Sequence, residues 1–384
     1  MAHTSSTLEA EWSFLRAACS RSTSAQAFAA RLQPAIRWQS LFDLAERHGV
    51  LPILYQRMSS VAESISADAM RAVQLSYETN LHKAMLLSLE LIRIYDRLAE
   101  DGIEVLAHKG LALAEAVYGD IALRRAGDID LLIQACDFPR IRDSVRELGY
   151  TPHLQMSQMQ ERAYLKSGYE CAFDGTAGPN LLEVQWALQP RFYAVDFDMD
   201  GLFRRAVIIA VAGRPMKTLS AEDSFLVLSL HAAKHVWGRL IWLCDLAGIM
   251  HLPDLDWGAI AAQGKKLGIA RILRVGMLLA NRLLAAAIPA AADASLPQDA
   301  GAETLAEEIE RHIGSGLVFN VESFAYFRLM LRLREHNSDR LRFLHRLIFT
   351  PGPGEWDAVR LPEALSPLYR LVRLSRLTAR VLRA

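Results

Sequence analysis

The hydrophobic pattern changes character twice along the 384 residues, and those changes divide the chain. Over the first hundred positions apolar residues recur every three to four, the period of a helix with one buried face. Trp38-Gln39-Ser40-Leu41-Phe42-Asp43-Leu44-Ala45 follows that spacing. His48-Gly49 supplies its stop, since glycine readily takes the left-handed conformation that ends helices. Ala67 to Ala99 reads as a longer amphipathic helix closed by Asp101-Gly102, with Leu81, Met85, Leu89 and Ile92 on its apolar side.

The pattern then changes. Ile103-Glu104-Val105-Leu106-Ala107 predicts a short buried strand running into His108-Lys109-Gly110 and an Ala/Leu-rich helix from Leu111 to Tyr118. Asp128 to Gln134 is a second strand, and Phe138 to Leu148 a helix. Gly168 to Phe173 and Leu181 to Leu188 are further strands, joined by the turn-rich stretch Asp174 to Asn180. This alternation predicts a compact α/β catalytic unit. From Ser220 the helical period returns. Ser220 with Asp223 resembles a capping box, and the helix it opens runs towards Trp237. Residues 285–304, rich in Ala, Pro, Asp and Gly, read as a linker or surface excursion. The last block is helical, broken at Pro351-Gly352-Pro353-Gly354. The expected division is a helical region over 1–100, a catalytic domain over 101–218 and a helical domain over 219–384.

Composition narrows the partners. Lys+Arg and Asp+Glu both number 43, so no strong nucleic-acid signal exists and any steering charge must be local. Met1 to Trp12 contains Glu9 and Glu11 and lacks the pattern of a signal or transit peptide. No apolar run is long enough to span a bilayer. Cys19, Cys136, Cys171 and Cys244 lack Cys-x-x-Cys spacing, which favours reduced thiols and a cytoplasmic protein.

The candidate chemistry lies in Gly127-Asp128-Ile129-Asp130-Leu131-Leu132-Ile133. Strand side chains alternate faces, so Asp128 and Asp130 share one and repel each other unless a cation or proton intervenes. Oxygen ligands suit a hard ion such as Mg²⁺, which recruits substrate phosphates to complete its shell. Glu183, among apolar residues in Leu181-Leu182-Glu183-Val184-Gln185-Trp186, is a candidate third acid; otherwise it faces outward on a half-exposed strand. Lys109-Gly110 at a strand exit offers charge and close backbone approach to a phosphate, although Walker spacing is absent. Arg124 is within reach of the same pocket, or is a carboxylate partner.

Taken together, Lys109-Gly110, Tyr118, Arg124-x-x-Gly127-Asp128-Ile129-Asp130-Leu131-Leu132 and Glu183-x-Gln185-Trp186 resemble the bacterial family of uncharacterised nucleotidyltransferases, within the DNA polymerase β-like superfamily. His231-Ala232-Ala233-Lys234-His235-x-Trp237-x-Arg239-Leu240-x-Trp242-Leu243-x-Asp245 is similar to that family's second signature, and Trp356, Leu361-Pro362 and Tyr369 to Arg373 to its C-terminal pattern. The resemblance implies an α+β fold: a small polymerase β-like mixed sheet with helices, flanked by N- and C-terminal helical regions. It implies that Asp128, Asp130 and Glu183 bind metal, with Gly110 near the nucleotide phosphates. Two positions depart from the pattern: Leu111 follows Gly110 where Gly or Ser is usual, and Gln185 stands where His is usual.

His231, Lys234 and His235 form one helical stripe that could face phosphate or acceptor, or serve hydrogen bonds between helices. Asp245 could pair with His or Lys, or act as a base. The segment with Arg370, Arg373, Arg376, Arg380 and Arg383 carries no acid, and its leucines are expected to pack it; contact with an anionic membrane surface is the alternative. The expected activity is Mg²⁺-dependent (alternatively Mn²⁺-dependent) transfer of a nucleoside monophosphate from an NTP to a glycan intermediate, peptide or small metabolite. A nucleotide- or partner-binding protein without turnover and a metallohydrolase are the alternatives.

Overall fold

A computed structural model describes residues 8–32, 36–176, 178–314, 320, 323–359, 361, 365 and 368–383. Its centre is a five-stranded mixed sheet of β1 (Val105–Ala107), β2 (Ile129–Ile133), β3 (Thr151–Pro152), β4 (Glu170–Gly175) and β5 (Gly178–Gln185). The strand order is β1-β2-β5-β4-β3. Only β2 and β5 run parallel. A separate antiparallel hairpin joins β6 (Val207–Val211) to β7 (Arg214–Thr218). Helices cover the rest, giving the α+β class that the family resemblance implies.

Alternation sorts the sheet's two faces. Ile129, Leu131 and Ile133 of β2, with Leu182 and Val184 of β5, are buried against the helix Phe138–Glu147 and the C-terminal half of the helix Ala67–Glu100. The opposite face carries Leu106 and Leu132 beneath Leu188, Leu202 and Phe203 at one end. At the other end it carries the acids. A second, larger core joins the N-terminal helices to those after residue 220. His48 fastens this junction by accepting the Leu240 backbone N–H at Nδ1, 3.2 Å away.

Several local expectations hold. The helix Trp38–His48 ends on Gly49 at φ +70°, and Ser220 Oγ accepts the Asp223 N–H to start the helix Ala221–Lys234. Others change. In Ala67–Glu100 the buried stripe is Ala84, Leu87, Leu91, Ile94 and Leu98, whereas Met85 and Leu89 face solvent. The segment offers two apolar stripes, and packing on the sheet selects one. The stretch 285–304 is not simply a linker: it holds the helix Ala290–Ser295 and the start of Ala300–Gly314. Beyond Leu113 the turn widens into a π-helix, Ala114–Tyr118. The chain breaks after Phe349 as the Pro/Gly run predicts, but a new helix starts at Pro353, where proline's fixed φ suits a first turn. Pro362, part of the C-terminal pattern, lies outside the described residues.

Candidate active site

Register places the acids. In the parallel pair, Asp130 of β2 stands opposite Glu183 of β5, and Asp128, in the bend just before β2, is close enough to Asp130 for their charges to interact. The antiparallel neighbour β4 sets Glu170 opposite Gln185. Gln185, 1 % exposed, lies at the centre of this cluster. Its Nε2 is 3.1 Å from Asp130 Oδ1, 3.1 Å from Glu183 Oε2 and 3.3 Å from Glu170 Oε2. Its Oε1 receives His108 Nε2 at 3.1 Å and Lys109 Nζ at 3.4 Å. Lys109 Nζ also donates to Asp130 Oδ1 at 3.1 Å.

The backbone entering this cluster is strained. Lys109 has φ +56° and ψ −150°, a region nearly restricted to glycine, at a cost of about 1–3 kcal/mol. Gly110 follows at φ +34°, with the Asp128 carbonyl 3.5 Å from where a Cβ would stand. That is ordinary contact distance, so conformation rather than space calls for glycine. The distortion delivers the Lys109 ammonium to Asp130.

Electrostatics follow from crowding acids with few cations. Burial, then Asp130, Glu170 and Asp128, push the Glu183 carboxyl up to about 8. Burial and Asp130 push Asp128 up to about 6. For Asp130 burial acts upward, but Lys109 and His108 outweigh it and hold this carboxyl below its ordinary value. Burial opposes the Lys109 charge, yet Asp130, Glu183 and Glu170 raise its pKa overall. His108 is driven down to about 3 by burial and Lys109, so its ring is neutral.

The helix Ala221–Lys234 supplies the opposite wall. Lys234 Nζ donates to Tyr169 Oη at 3.1 Å and lies 4.8 Å from that ring's centroid. Burial lowers the Lys234 pKa, while Glu170 and Glu183 oppose the fall. His231 and His235 pack with Trp242, their ring centroids 5.6 and 5.1 Å from the indole. Burial and nearby cations, Lys109 foremost for His231 and Lys234 for His235, depress both rings, His235 to about 4. Both are therefore neutral at pH 7 and offer hydrogen bonds rather than charge.

Arg124 takes the second of its two expected roles, that of a carboxylate partner, and Asp245 pairs with arginine rather than His or Lys. Arg124 Nε and Nη2 lie 3.1 Å from the Asp245 carboxylate, and Tyr118 Oη donates to Asp245 Oδ1 at 2.8 Å. Asp245 is fully buried and its partner is neither His nor Lys. A buried carboxylate draws the nearest fixed cation, and that engages Arg124 away from the expected phosphate contact. Tyr118, Arg124 and Asp245 thus clamp the loop before β2 to the helix Leu240–Met250.

Glu170, His108 and Tyr169 escaped the sequence reading. Glu170 had one available signal: it opens the apolar run that pairs with β5, so alternation puts it on the Glu183 face. Among the described residues no three His, Cys, Asp or Glu side chains converge closely enough to hold a metal ion as they stand. Gln185 and Lys109 are interposed between the carboxylates. Two cavities of about 450 and 390 Å³ are lined by none of the three acids.

A five-stranded mixed sheet flanked by helices, with Asp130 and Glu183 opposite each other on its parallel strands, is consistent with a nucleotidyltransferase-like fold. Residues 34–285 match the family described as uncharacterised nucleotidyltransferase, and the chain belongs to that family. No curated protein and no solved structure matches it. Membership supports a general role in nucleotidyl transfer. No described helix is long and apolar enough to cross a membrane.

Proposed function

We propose that the protein is a divalent-metal-dependent nucleotidyltransferase that moves a nucleoside monophosphate from an NTP to an acceptor and releases pyrophosphate. The observation that carries this reading is the side-by-side register of Asp130 and Glu183, with Asp128 near enough to raise and be raised by their charges. Three hard-oxygen donors, two of them with carboxyl pKa values raised by burial and then by neighbouring acids, suit a Mg²⁺ or Mn²⁺ ion that would relieve that cost. Asp128, Asp130 and Glu183 would hold the metal, which supplies charge neutralisation on the phosphates and a more acidic acceptor hydroxyl.

The chain's own groups account for the rest. Lys109 and Lys234 neutralise phosphate oxygens, Gly110 admits a phosphate close to the backbone, and His231 and His235 offer neutral hydrogen bonds. The acceptor oxygen attacks the α-phosphorus, the bond to the β-phosphate oxygen breaks, and Glu183 assists removal of the acceptor proton. Catalysis rests on positioning and charge. The acceptor is a glycan intermediate, a peptide or a small metabolite. The division into 1–100, 101–218 and 219–384 belongs to this proposal, with the flanking helices shaping the acceptor pocket.

A second reading is nucleotide binding without turnover. It is favoured by one observation: Gln185 and Lys109 already occupy Asp130 and Glu183 oxygens. Labelled NTPs with Mg²⁺ or Mn²⁺, incubated with cell extract as acceptor source, separate the two. Transfer by the wild type, lost in D128A/D130A, supports the enzyme. Metal-dependent NTP binding without pyrophosphate release supports the binding protein, and hydrolysis without acceptor supports a metallohydrolase.

A further inference from the structure

The first turns of the helix Tyr369–Arg383 expose leucines and hold arginines against the body. Its expected apolar face, with Leu371 and Leu374, points to solvent at 62 % and 45 % exposure. Its arginine face holds it to the body: Arg373 Nε donates to the Leu347 carbonyl, and Arg373 and Arg376 pair with Glu355. At Leu371 and Leu374 the packing expected of leucine is thus done by the neighbouring arginines, while Leu377 is half-buried. Leu365 and Leu368, just before this helix, are also exposed, as are Leu341 and Phe349 on the neighbouring helix Asn337–Phe349.

Charge selects the occupant of this face. Residues 324–384 hold twelve arginines, no lysine and five acids, a net +7, so residues 1–323 carry −7. Another exposed apolar stripe, Leu75, Met85, Leu86 and Leu89, lacks this bias, since its helix, 67–100, holds four Lys and Arg against five Asp and Glu. Exposed leucines within a cationic field fit a surface that is apolar below and anionic above.

We propose that the exposed side chains of the helices Asn337–Phe349 and Tyr369–Arg383 dock the protein on an anionic lipid bilayer, with Leu371 and Leu374 entering the headgroup boundary. Exposed Arg370 contributes charge outside the Glu355 clamp. The full-length protein is centrifuged with vesicles of phosphatidylcholine alone or with ~30 % phosphatidylglycerol. Wild type should sediment with the anionic vesicles only, and less at high salt. L371S/L374S, which leaves every charge in place, should lower the bound fraction roughly tenfold with circular dichroism and Tm unchanged. R370Q should weaken binding and reduce its salt dependence. Failure of the wild type to bind anionic vesicles overturns the proposal, as does equal binding by L371S/L374S. A dimer in light scattering that this double variant converts to monomer would assign the face to a second copy and also overturn it.

Discussion

Asp130 and Glu183 are lateral neighbours on parallel strands, and the Gln185 amide nitrogen lies 3.1 Å from an oxygen of each. One neutral donor shared between two carboxylates cannot cancel their repulsion. The uncompensated charge falls on Glu183, whose carboxyl rises to about 8, rather than on Asp130, which Lys109 neutralises. The site is thus poised to exchange a proton for a cation.

That exchange sets a pH dependence. The Glu183 carboxyl ionises near 4.5 in the unfolded chain and near 8 in the folded one, so the native state binds the extra proton between these values. Stability without metal therefore falls as pH rises from about 4.5 to 8. E183Q removes the charge and should raise Tm at pH 8.5 by roughly 3 °C while abolishing transfer. Mg²⁺ should stabilise the wild type increasingly between pH 6 and 8, where Asp128 and Glu183 lose their protons, and have little effect on E183Q. Thermal melts with and without Mg²⁺ across that range test both statements. A flat Mg²⁺ effect would remove Glu183 from the metal site.

What could be read without coordinates followed from period and alternation. Alternation predicts that Asp128 and Asp130 share a face of their strand, and that Glu183 and Gln185 share a face of theirs. Which strands adjoin is a long-range fact. Nothing local in β5 says that it pairs parallel with β2, the step that brings Glu183 beside Asp130. The same limit hid Glu170, which reaches the site only through β4–β5 pairing. Arg124 and Asp245 stand 121 residues apart, so their pairing was invisible and Arg124 was free to be assigned to phosphate. The long helix misled for another reason. Two apolar stripes were present, and the sheet, not helical periodicity, decides which is buried.

The Arg124–Asp245–Tyr118 clamp predicts large and unequal costs. Asp245 is fully buried, and D245N leaves the Arg124 guanidinium without its counter-charge. Removing one member of a buried pair costs about 3–5 kcal/mol. Y118F removes one hydrogen bond to a charged group, about 1.5–3 kcal/mol. Urea denaturation of D245N, R124M and R124M/D245N forms a cycle in which the double variant should be less destabilised than the two losses added. Strict additivity would show that the pair is not coupled. Transfer should fall in these variants with stability, because the clamp holds the loop leading to Asp128.

The junction between the N-terminal and later helices carries an acid-sensitive latch. His48 accepts the Leu240 N–H and must be neutral at Nδ1 to do so. Burial, then Arg47 and Arg239, depress its pKa to about 4 against 6.5 in the unfolded chain. Below pH 6.5 the unfolded state takes up a proton that the native state refuses until about 4, so stability falls as pH falls through that window. The slope approaches about 1.4 kcal/mol per pH unit for one proton. His235 and His108, depressed to about 4 and 3, add to it. H48N, which can accept the same N–H through its amide oxygen, should be less stable at pH 7 yet lose one proton's worth of the slope between pH 6 and 4.5. Chemical denaturation at half-unit pH intervals measures that difference. Parallel curves for wild type and H48N would show that the acid sensitivity arises elsewhere.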